Sequence, residues 1–446
     1  MPIYAALIAL AIPIVAIAAL SLLLPWEPVY DPWGWLVWGR ELAELDLDTS
    51  IGPSWKPLPV IFTSLYSLAG DAAPELWLLT ARAGWLAAIA LAALLAARLV
   101  ERCGGARREA IVAAALAGVA IVLLDDGFTP WLRQFAGGLS EPLQVALVLA
   151  SIERALAGHH RIALGLATGA ALIRPEAWPF FAVYGIWIWR REPAARATVA
   201  VALAAVPLLW FVPDILGSGD PFTGAERARE GSGSPLHEAL EALEWAAALP
   251  LAALWAGTAV TLAEAVRRRD GAVVAIGIGI LAWIAVVAVM AAGGFAGLPR
   301  FSTPAAAVAC VLGAIGLARL GAVLLERPRG SAGGALIAAG AVLGALLIGQ
   351  GAQRAIELGD AAGVATELGS DHEQIFALVD EGGAPSIRAC PPVVVGAIQE
   401  QTALAWALDL PIAAVDVARA APVPGVQITR DGDRWAIHLE SCPDPK

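Results

Sequence analysis

Between its first two apolar segments the chain reads YDPWGWLVWGRELAELDLDTSIGPSWKPLP, from Tyr30 to Pro59. The stretch follows the first apolar segment and holds Asp31 near its start, then several tryptophans and an acidic run. It also holds Lys56, the only lysine apart from the C-terminal Lys446 in a chain with 27 arginines. Because arginine is the usual cation of this sequence, an internal lysine stands out. We interpret the stretch as one wall of a functional site, and the rest of the chain as the scaffold that holds it at a membrane surface.

The composition is that of a membrane protein built from helices. Of the 446 residues, 59% are hydrophobic and 15% are charged, and the mean hydropathy is +0.70. A soluble protein carries about 25% charged residues. Apolar segments recur at the length of about 20 residues that spanning helices require, whereas a barrel would show alternating segments of about 10 residues. We therefore expect an all-α polytopic membrane protein. The net charge of −11 gives no indication of a nucleic-acid partner.

The apolar segments also predict a topology. We place eleven segments at residues 3–24, 76–97, 110–124, 139–152, 162–173, 178–189, 197–216, 245–266, 272–292, 304–325 and 332–348. Arginines concentrate in alternate loops, and basic loops stay on the cytoplasmic side. This predicts a cytoplasmic N-terminus, an outer loop over residues 26–74 and an extracytoplasmic C-terminus. The bias towards arginine and alanine is typical of a GC-rich bacterial genome, so we expect a bacterial cytoplasmic membrane.

The last part of the chain has a different pattern. The apolar run stops near residue 350, which divides the chain into a membrane domain (1–350) and an extracytoplasmic domain (351–446). Helical patterns at 361–380 and 395–408 alternate with strand patterns at 392–395, 412–417, 426–429 and 435–439. Asp431-Gly432 predicts a hairpin turn between the last two strands. We expect a small α/β domain, in which Cys390 and Cys442 can form a disulfide if it lies outside the cytoplasm.

Asp31 and Lys56 are the first candidate site residues. An ionisable residue just past a helix end is often only solvated, and a lysine there can simply extend its ammonium to the interface. Lys56 is followed by Pro57-Leu58-Pro59 and then by an apolar stretch. A cation held in this way at a membrane surface is well placed to meet a lipid phosphate. The functional and the interfacial interpretations both stay open on spacing alone.

Four tryptophans surround these two residues. We interpret most of them as an aromatic belt, because the membrane interface suits both the ring and the indole N–H. Trp55, directly before Lys56, is kept as a candidate substrate-binding residue. The four are Trp33, Trp35, Trp38 and Trp55.

Three arginines are predicted on the outer side or inside the bundle. Charges at membrane depth are costly, so they usually serve function or pair with one another. Arg174 can pair with Glu176, two positions away. We interpret Arg174, together with Arg133, Arg300 and Lys56, as lining an anion site. Glu141 adds a carboxylate at the outer end of the fourth segment.

Several other kinds of site are not indicated. No glycine-rich phosphate loop with Lys-Ser/Thr, no HExxH motif and no Cys/His cluster at zinc spacing is present. The pair Asp125-Asp126 is most simply a hydrated turn, and Asp46-Leu47-Asp48 is part of a solvated acidic run. We expect no cofactor, although a metal ion stays open.

Taken in order, these residues form a set of motifs. They are Asp31 in a long first outer loop, Lys56-Pro57-Leu58-Pro59, Arg133 with Ser140-Glu141 and Leu143, Arg174-Pro175-Glu176, and Arg300-Phe301 with Pro304. Over roughly residues 1–350 the chain resembles the GT-C glycosyltransferases. Within them it is most similar to the branch of the protein O-mannosyltransferases and aminoarabinose transferases. The motif reads Lys-Pro-Leu-Pro where that branch has Lys-Pro-Pro-Leu, and Glu27 is a rival to Asp31 as the acidic residue.

The resemblance implies transfer of a sugar from a polyprenyl-phosphate donor to an acceptor on the outer face. The acceptor would be a cell-envelope glycan, lipid or protein. Asp31 would be the general base, and Lys56, with Arg174 and Arg300 as candidates, would hold the donor phosphate. Such a transfer needs no ATP, because the glycosyl-phosphate bond already carries the energy. Two alternatives stay open: a transporter of a lipid or anionic solute, and a catalytically silent scaffold of the same fold.

Overall fold

The structure is a computed structural model that describes residues 2–24, 27–125, 131–229, 233–326, 331–418, 425–432 and 434–440. It consists of a helical bundle followed by a domain that contains a small sheet. The helices are α1 Pro2–Ser21, α2 Tyr30–Glu44, α3 Pro57–Tyr66, α4 Ala73–Arg102, α5 Arg107–Val122, α6 Trp131–Ala136, α7 Glu141–Leu156, α8 His160–Ala171, α9 Trp178–Arg191, α10 Arg196–Ser218, α11 Thr223–Arg227, α12 Pro235–Ala248, α13 Ala252–Arg268, α14 Gly271–Ala292, α15 Thr303–Leu325, α16 Ser331–Gly382, α17 Ala384–Arg388 and α18 Ile398–Ala407. The strands are β1 Val393–Val395, β2 Val415–Val417, β3 Gly425–Asp431 and β4 Arg434–Glu440.

The chain is a multi-pass membrane protein. Within the described ranges, five helical segments are long and apolar enough to cross a bilayer, or six if one bent pair counts as a span. The other predicted apolar segments also fall on helices, most of which are shorter than 18 residues. Eleven crossings therefore stay a prediction. The five segments are Pro57–Arg102, Pro193–Ser218, Gly271–Ala292, Pro299–Leu325 and Gly333–Gly359.

One predicted segment is wrong as a single helix. Residues 245–266 are divided between α12 and α13, whose axes are bent by 86° at a short break. Pro250 lies in this break. Proline has no N–H for a helical hydrogen bond and its ring clashes with the preceding turn, so the helix ends there.

Helix α15 forms the centre of the bundle. Most of its side chains between Thr303 and Ala318 are buried. At Gly313 and Gly316 a Cβ atom would collide with the backbone of α13, around Leu254 and Gly257. The two helices thus pack backbone against backbone, as small residues allow in membrane bundles.

The C-terminal sheet has the strand order β2-β1-β3-β4. β1 is parallel to both of its neighbours, while β3 and β4 form an antiparallel hairpin. All four predicted strands and the predicted hairpin are present. Cys390 is disulfide-bonded, and its predicted partner Cys442 lies outside the described residues.

Helix α16 joins the bundle to this domain. Its 52 residues run without interruption through position 350, where the apolar pattern stops. The sequence predicts two separate helices here, at 332–348 and 361–380. They form one helix because no proline falls between Ser331 and Gly382.

The four tryptophans between Tyr30 and Pro59 do not form a membrane belt. Trp33, Trp35, Trp38 and Trp55 are each at most 3% exposed and belong to a core that is shared with the C-terminal domain. Their indole N–H groups donate to protein oxygens, such as the Asp48 carbonyl for Trp38. The interpretation as a belt is therefore wrong, because the protein itself covers the rings and satisfies the N–H groups.

Candidate active site

Six of the predicted site residues meet at one end of the bundle. Each lies at or next to the start of a helix and directly beside a proline. Proline suits the first turn of a helix, where its missing N–H costs nothing, so it fixes where each helix begins. The polar residue is thereby held at the end of its helix. The pairs are Asp31-Pro32 in α2, Lys56-Pro57 before α3, Glu141-Pro142 in α7, Arg174-Pro175-Glu176 between α8 and α9, and Pro299-Arg300 before α15.

Glu141 lies at the centre of this cluster and is fully buried. Its Oε1 accepts hydrogen bonds from Lys56 Nζ at 3.1 Å and from Arg174 Nη2 at 2.6 Å. Arg174 Nε also donates to the same oxygen at 3.1 Å. A carboxylate with two charged donors is strongly held, because each such bond is charge-assisted. Glu141 therefore fixes the positions of both cations.

Lys56 is 2% exposed and is surrounded on several sides. Besides its bond to Glu141, its ammonium donates to Ser140 Oγ at 3.0 Å and lies 4.7 Å from the centre of the Trp35 ring. Burial lowers the pKa of Lys56 to about 8, while the Glu141 carboxylate acts in the opposite direction. Lys56 precedes the span that begins at Pro57. At neutral pH the ammonium is still mostly charged.

The Arg174 guanidinium contacts several side chains of the protein. Apart from Glu141, it pairs with Glu176, with Nη1 3.5 Å from Oε1. Its guanidinium also lies 3.8 Å from the centre of the Phe301 ring. The predicted Arg174–Glu176 pair is thus present, but it is part of the larger cluster.

Asp31 and Arg300 form the exposed edge of the cluster. Their side chains are 16% and 22% exposed, whereas that of Glu141 is completely buried. Asp31 Oδ2 lies 4.0 Å from Lys56 Nζ and 3.8 Å from Arg300 Nη2. Arg300 Nε lies 3.9 Å from Glu141 Oε1. A reactant that enters from this side meets a carboxylate and two cations together.

The charges of the cluster balance when all six groups are ionised. Lys56, Arg174 and Arg300 carry three positive charges, and the three carboxylates carry three negative ones. Buried ions need such compensation, because an uncompensated charge is costly away from water. The arrangement can hold an anion at the Asp31–Arg300 edge and can accept a proton on Asp31.

Two predicted site residues lie elsewhere. Trp55 packs against Trp38, and its Nε1 donates to the carbonyl of Leu209 in α10 at 3.0 Å, so it fixes the segment between α2 and α3 to the bundle. Arg133 lies in α6 and, among the described residues, makes no ion pair with the cluster. Of the Asp125-Asp126 pair, Asp126 lies outside the described residues.

Glu27, the rival to Asp31, has a different environment. Its Oε1 lies 2.5 Å from Nδ1 of His372 and accepts a hydrogen bond from Trp33 Nε1 at 3.1 Å. Burial raises the pKa of Glu27, and His372 opposes this effect. Glu27 therefore belongs to the contact with the C-terminal domain, whereas Asp31 belongs to the cluster.

Sequence reasoning missed the aromatic and hydroxyl groups that complete the site. Trp35 lies against Lys56, and the predicted motifs gave Ser140 and Phe301 no role, although both contact the cations. The only signal for them was their position beside charged residues. Within the described residues, no group of three or more His, Cys, Asp or Glu side chains is placed to hold a metal ion. Metal independence stays a prediction.

Comparison with known proteins identifies solved structures of similar shape. No family model and no curated protein matches the chain. Crystal structures of ArnT from Cupriavidus metallidurans do match, one bound to undecaprenyl phosphate and one in the apo state. The TM-scores are 0.54 and 0.53, at 15% sequence identity in both cases. Each match covers 94% of this chain and 86% of the other. ArnT is a GT-C aminoarabinose transferase.

Proposed function

Because the chain has the fold of the GT-C glycosyltransferases, we propose that it transfers a sugar from a polyprenyl-phosphate donor to an acceptor hydroxyl. One observation carries this proposal. Asp31 lies within 4.0 Å of both Lys56 and Arg300, at the exposed edge of a buried ionic cluster. Such a transfer needs a carboxylate aimed at the attacking hydroxyl and cations on the departing phosphate.

We assign binding of the donor phosphate to Lys56 and Arg300, the two cations nearest Asp31. Lys56 Nζ can offer a donor towards the Asp31 side, and Arg300 is the most exposed of the three cations. Arg174 was an equal candidate from the sequence. Since it already contacts Glu141, Glu176 and the Phe301 ring, we assign it to holding Glu141 in place.

The reaction balances with these groups alone. The acceptor oxygen attacks the anomeric carbon, and the bond from that carbon to the phosphate oxygen breaks. The phosphate leaves with the electron pair, and Lys56 and Arg300 stabilise its added negative charge. The acceptor proton passes to the Asp31 carboxylate. Attack opposite to the leaving group inverts the anomeric centre.

The structural similarity to ArnT supports a polyprenyl-phosphate donor. The similar ArnT structure is bound to undecaprenyl phosphate. For this chain we propose a polyprenyl-phosphate-linked sugar that is presented on the outer face of a bacterial cytoplasmic membrane. In this orientation the arginine-rich loops and the N-terminus are cytoplasmic, and the C-terminal domain is extracytoplasmic. The acceptor is a cell-envelope glycan, lipid or protein.

Replacement of Asp31 tests the proposal. Membranes from a strain that lacks the chain supply both donor and acceptor, and mass spectrometry measures the polyprenyl phosphate released by purified protein. We expect Asp31→Asn to lower this release by about 10²–10⁴-fold, the usual contribution of a general base. Asp46→Asn, in the exposed acidic run of the same loop, is the matched control and should keep the wild-type rate. Full activity of Asp31→Asn would exclude Asp31 as the base.

A further inference from the structure

The C-terminal domain contacts the helix that carries Asp31. Thr402, in α18, is completely buried, and its Oγ1 donates to the carbonyl of Tyr30 at 2.8 Å. Tyr30 directly precedes Asp31 in the first turn of α2. The Tyr30 hydroxyl in turn donates to Gln401 Oε1 at 3.4 Å, and Gln401 is held by the carbonyl of Val415 in β2. The start of α2 is therefore attached to the sheet domain at the residue next to Asp31.

Two more attachments flank this one. Towards α16, Glu27 is paired with His372, and the Trp33 ring, two residues after Asp31, lies edge-on to Phe376 of the same helix. After Asp31, Arg40 pairs with Asp409 at 2.9 Å and donates to the Leu410 carbonyl at 3.0 Å. The domain thus holds α2 at its start, in its first turns and near its end.

The bundle holds the same helix on the cluster side. The Thr63 hydroxyl of α3 donates to the carbonyl of Trp35 at 2.6 Å, and the Trp35 ring lies against Lys56. Among the described residues, the cations nearest to Asp31 Oδ2 are Arg300 and Lys56, at 3.8 and 4.0 Å, which is longer than a hydrogen bond. Ion pairs at these distances orient a side chain only weakly, so the placement of Asp31 depends on the placement of its helix.

We infer that the C-terminal domain is part of the catalytic unit, and that Thr402 and His372 are positioning residues which hold α2 so that Asp31 faces Lys56 and Arg300. This inference rests on the proposed role of Asp31 as the base. A displacement of about 1 Å at a reacting group can cost about 10²-fold in rate, so a distant residue that fixes the helix affects the chemical step. Binding of the donor phosphate, by contrast, depends on Lys56 and Arg300, which other segments hold.

Variants of Thr402 test the inference. Thr402→Val keeps the shape and removes the donor to Tyr30, whereas Thr402→Ser keeps the hydroxyl. With the membrane assay above, we expect Thr402→Val to lower the maximal rate about tenfold, with the half-saturating amount of membranes unchanged. Thr402→Ser should stay within about twofold of the wild type. Thr261→Val is the matched control, because the Thr261 hydroxyl makes a similar buried bond, 2.7 Å to the carbonyl of Leu312, far from α2.

The decisive measurement repeats Thr402→Val in the Asp31→Asn background. If Thr402 acts through Asp31, the second substitution causes no further loss of the residual single-turnover rate. Equal losses in both backgrounds would overturn the inference, and so would a loss no greater than that of Thr261→Val. Full activity of Asp31→Asn alone would remove the role of Asp31 as the base, on which the inference rests. The proposed function fails separately, if the wild-type protein releases no polyprenyl phosphate.

His372 supplies a second pair of variants should Thr402→Val not fold. His372→Leu removes the contact with Glu27, while the amide of His372→Asn can occupy the position of Nδ1. We expect the same loss of maximal rate with leucine and recovery with asparagine. An equal loss with both residues would contradict a positioning role.

Discussion

Replacement of Glu141 by glutamine should weaken the fold and strengthen the binding of an anion. Glu141 Oε1 accepts three hydrogen bonds, at 2.6, 3.1 and 3.1 Å, from Arg174 and Lys56. Glutamine keeps an acceptor oxygen but removes the negative charge, which leaves the cluster with one positive charge in excess. Breaking a buried ion pair at one partner costs about 3–5 kcal/mol. We expect a loss of unfolding free energy in this range.

The excess charge should make the variant respond more strongly to a phosphate ligand. A ligand that binds only the folded state raises stability according to its concentration relative to its Kd. Undecaprenyl phosphate, added to protein in detergent, should therefore raise the unfolding temperature of Glu141→Gln more than that of the wild type. Tryptophan fluorescence can follow the transition, since the chain has 17 tryptophans and many are buried.

Glu241→Gln is the control for this experiment. Glu241 makes an exposed contact with His237, at 4.0 Å, and such surface pairs are worth about 0–1 kcal/mol. A cost below 1 kcal/mol for Glu141→Gln would refute the reasoning about the buried cluster. An equal shift by undecaprenyl phosphate in wild type and variant would refute the reasoning about its charge.

Two further predictions concern Lys56 and Glu41. Lys56→Met should weaken the binding of undecaprenyl phosphate about 10–100-fold, because a charge-assisted hydrogen bond contributes about 1.5–3 kcal/mol. Arg133→Met, measured in the same titration, should bind normally, and equal loss in both variants would contradict the assignment of the phosphate to Lys56. Burial raises the pKa of Glu41 to about 7, so its ionisation destabilises the fold as the pH rises from about 4.5 to 7. The amide of Glu41→Gln still accepts from the Asp48 N–H but carries no charge. The variant should therefore unfold at a higher temperature than the wild type at pH 8 but not at pH 4.5. An equal difference in unfolding temperature at both pH values would contradict this effect of Glu41 ionisation.

The sequence predicted the members of the cluster better than their arrangement. The sequence shows charged residues at the ends of apolar segments, each beside a proline. This pattern predicts Asp31, Lys56, Glu141, Arg174 and Arg300 as site residues. The sequence does not show which of these charged groups contact one another. Glu141 holds two cations rather than facing a ligand because the start of α7 meets the residues that precede α3 and α9, and no local pattern encodes this contact.

The environment of the tryptophans was the feature that the sequence predicted least well. Trp33, Trp35 and Trp38 follow one another at spacings that leave no single polar face on α2, and the positions from Pro32 to Gly39 are all buried. A sequence pattern reports that a helix is apolar, but not which element covers it. Here part of the cover is α18, more than 350 positions further along the chain. By contrast, the hairpin at Asp431-Gly432 was predictable because its turn chemistry is local.

Helix α16 has a mechanical consequence for the whole molecule. A helix of 52 residues is about 78 Å long, more than twice the thickness of about 30 Å of a hydrocarbon core. Because the helix continues without a break from the bundle into the C-terminal domain, the two parts are connected by a rigid element. Tilting that element against the bundle would pull His372 against Glu27 and strain the attachment of α2. The depth and angle at which the membrane holds one end thus set the alignment of the carboxylate near the other.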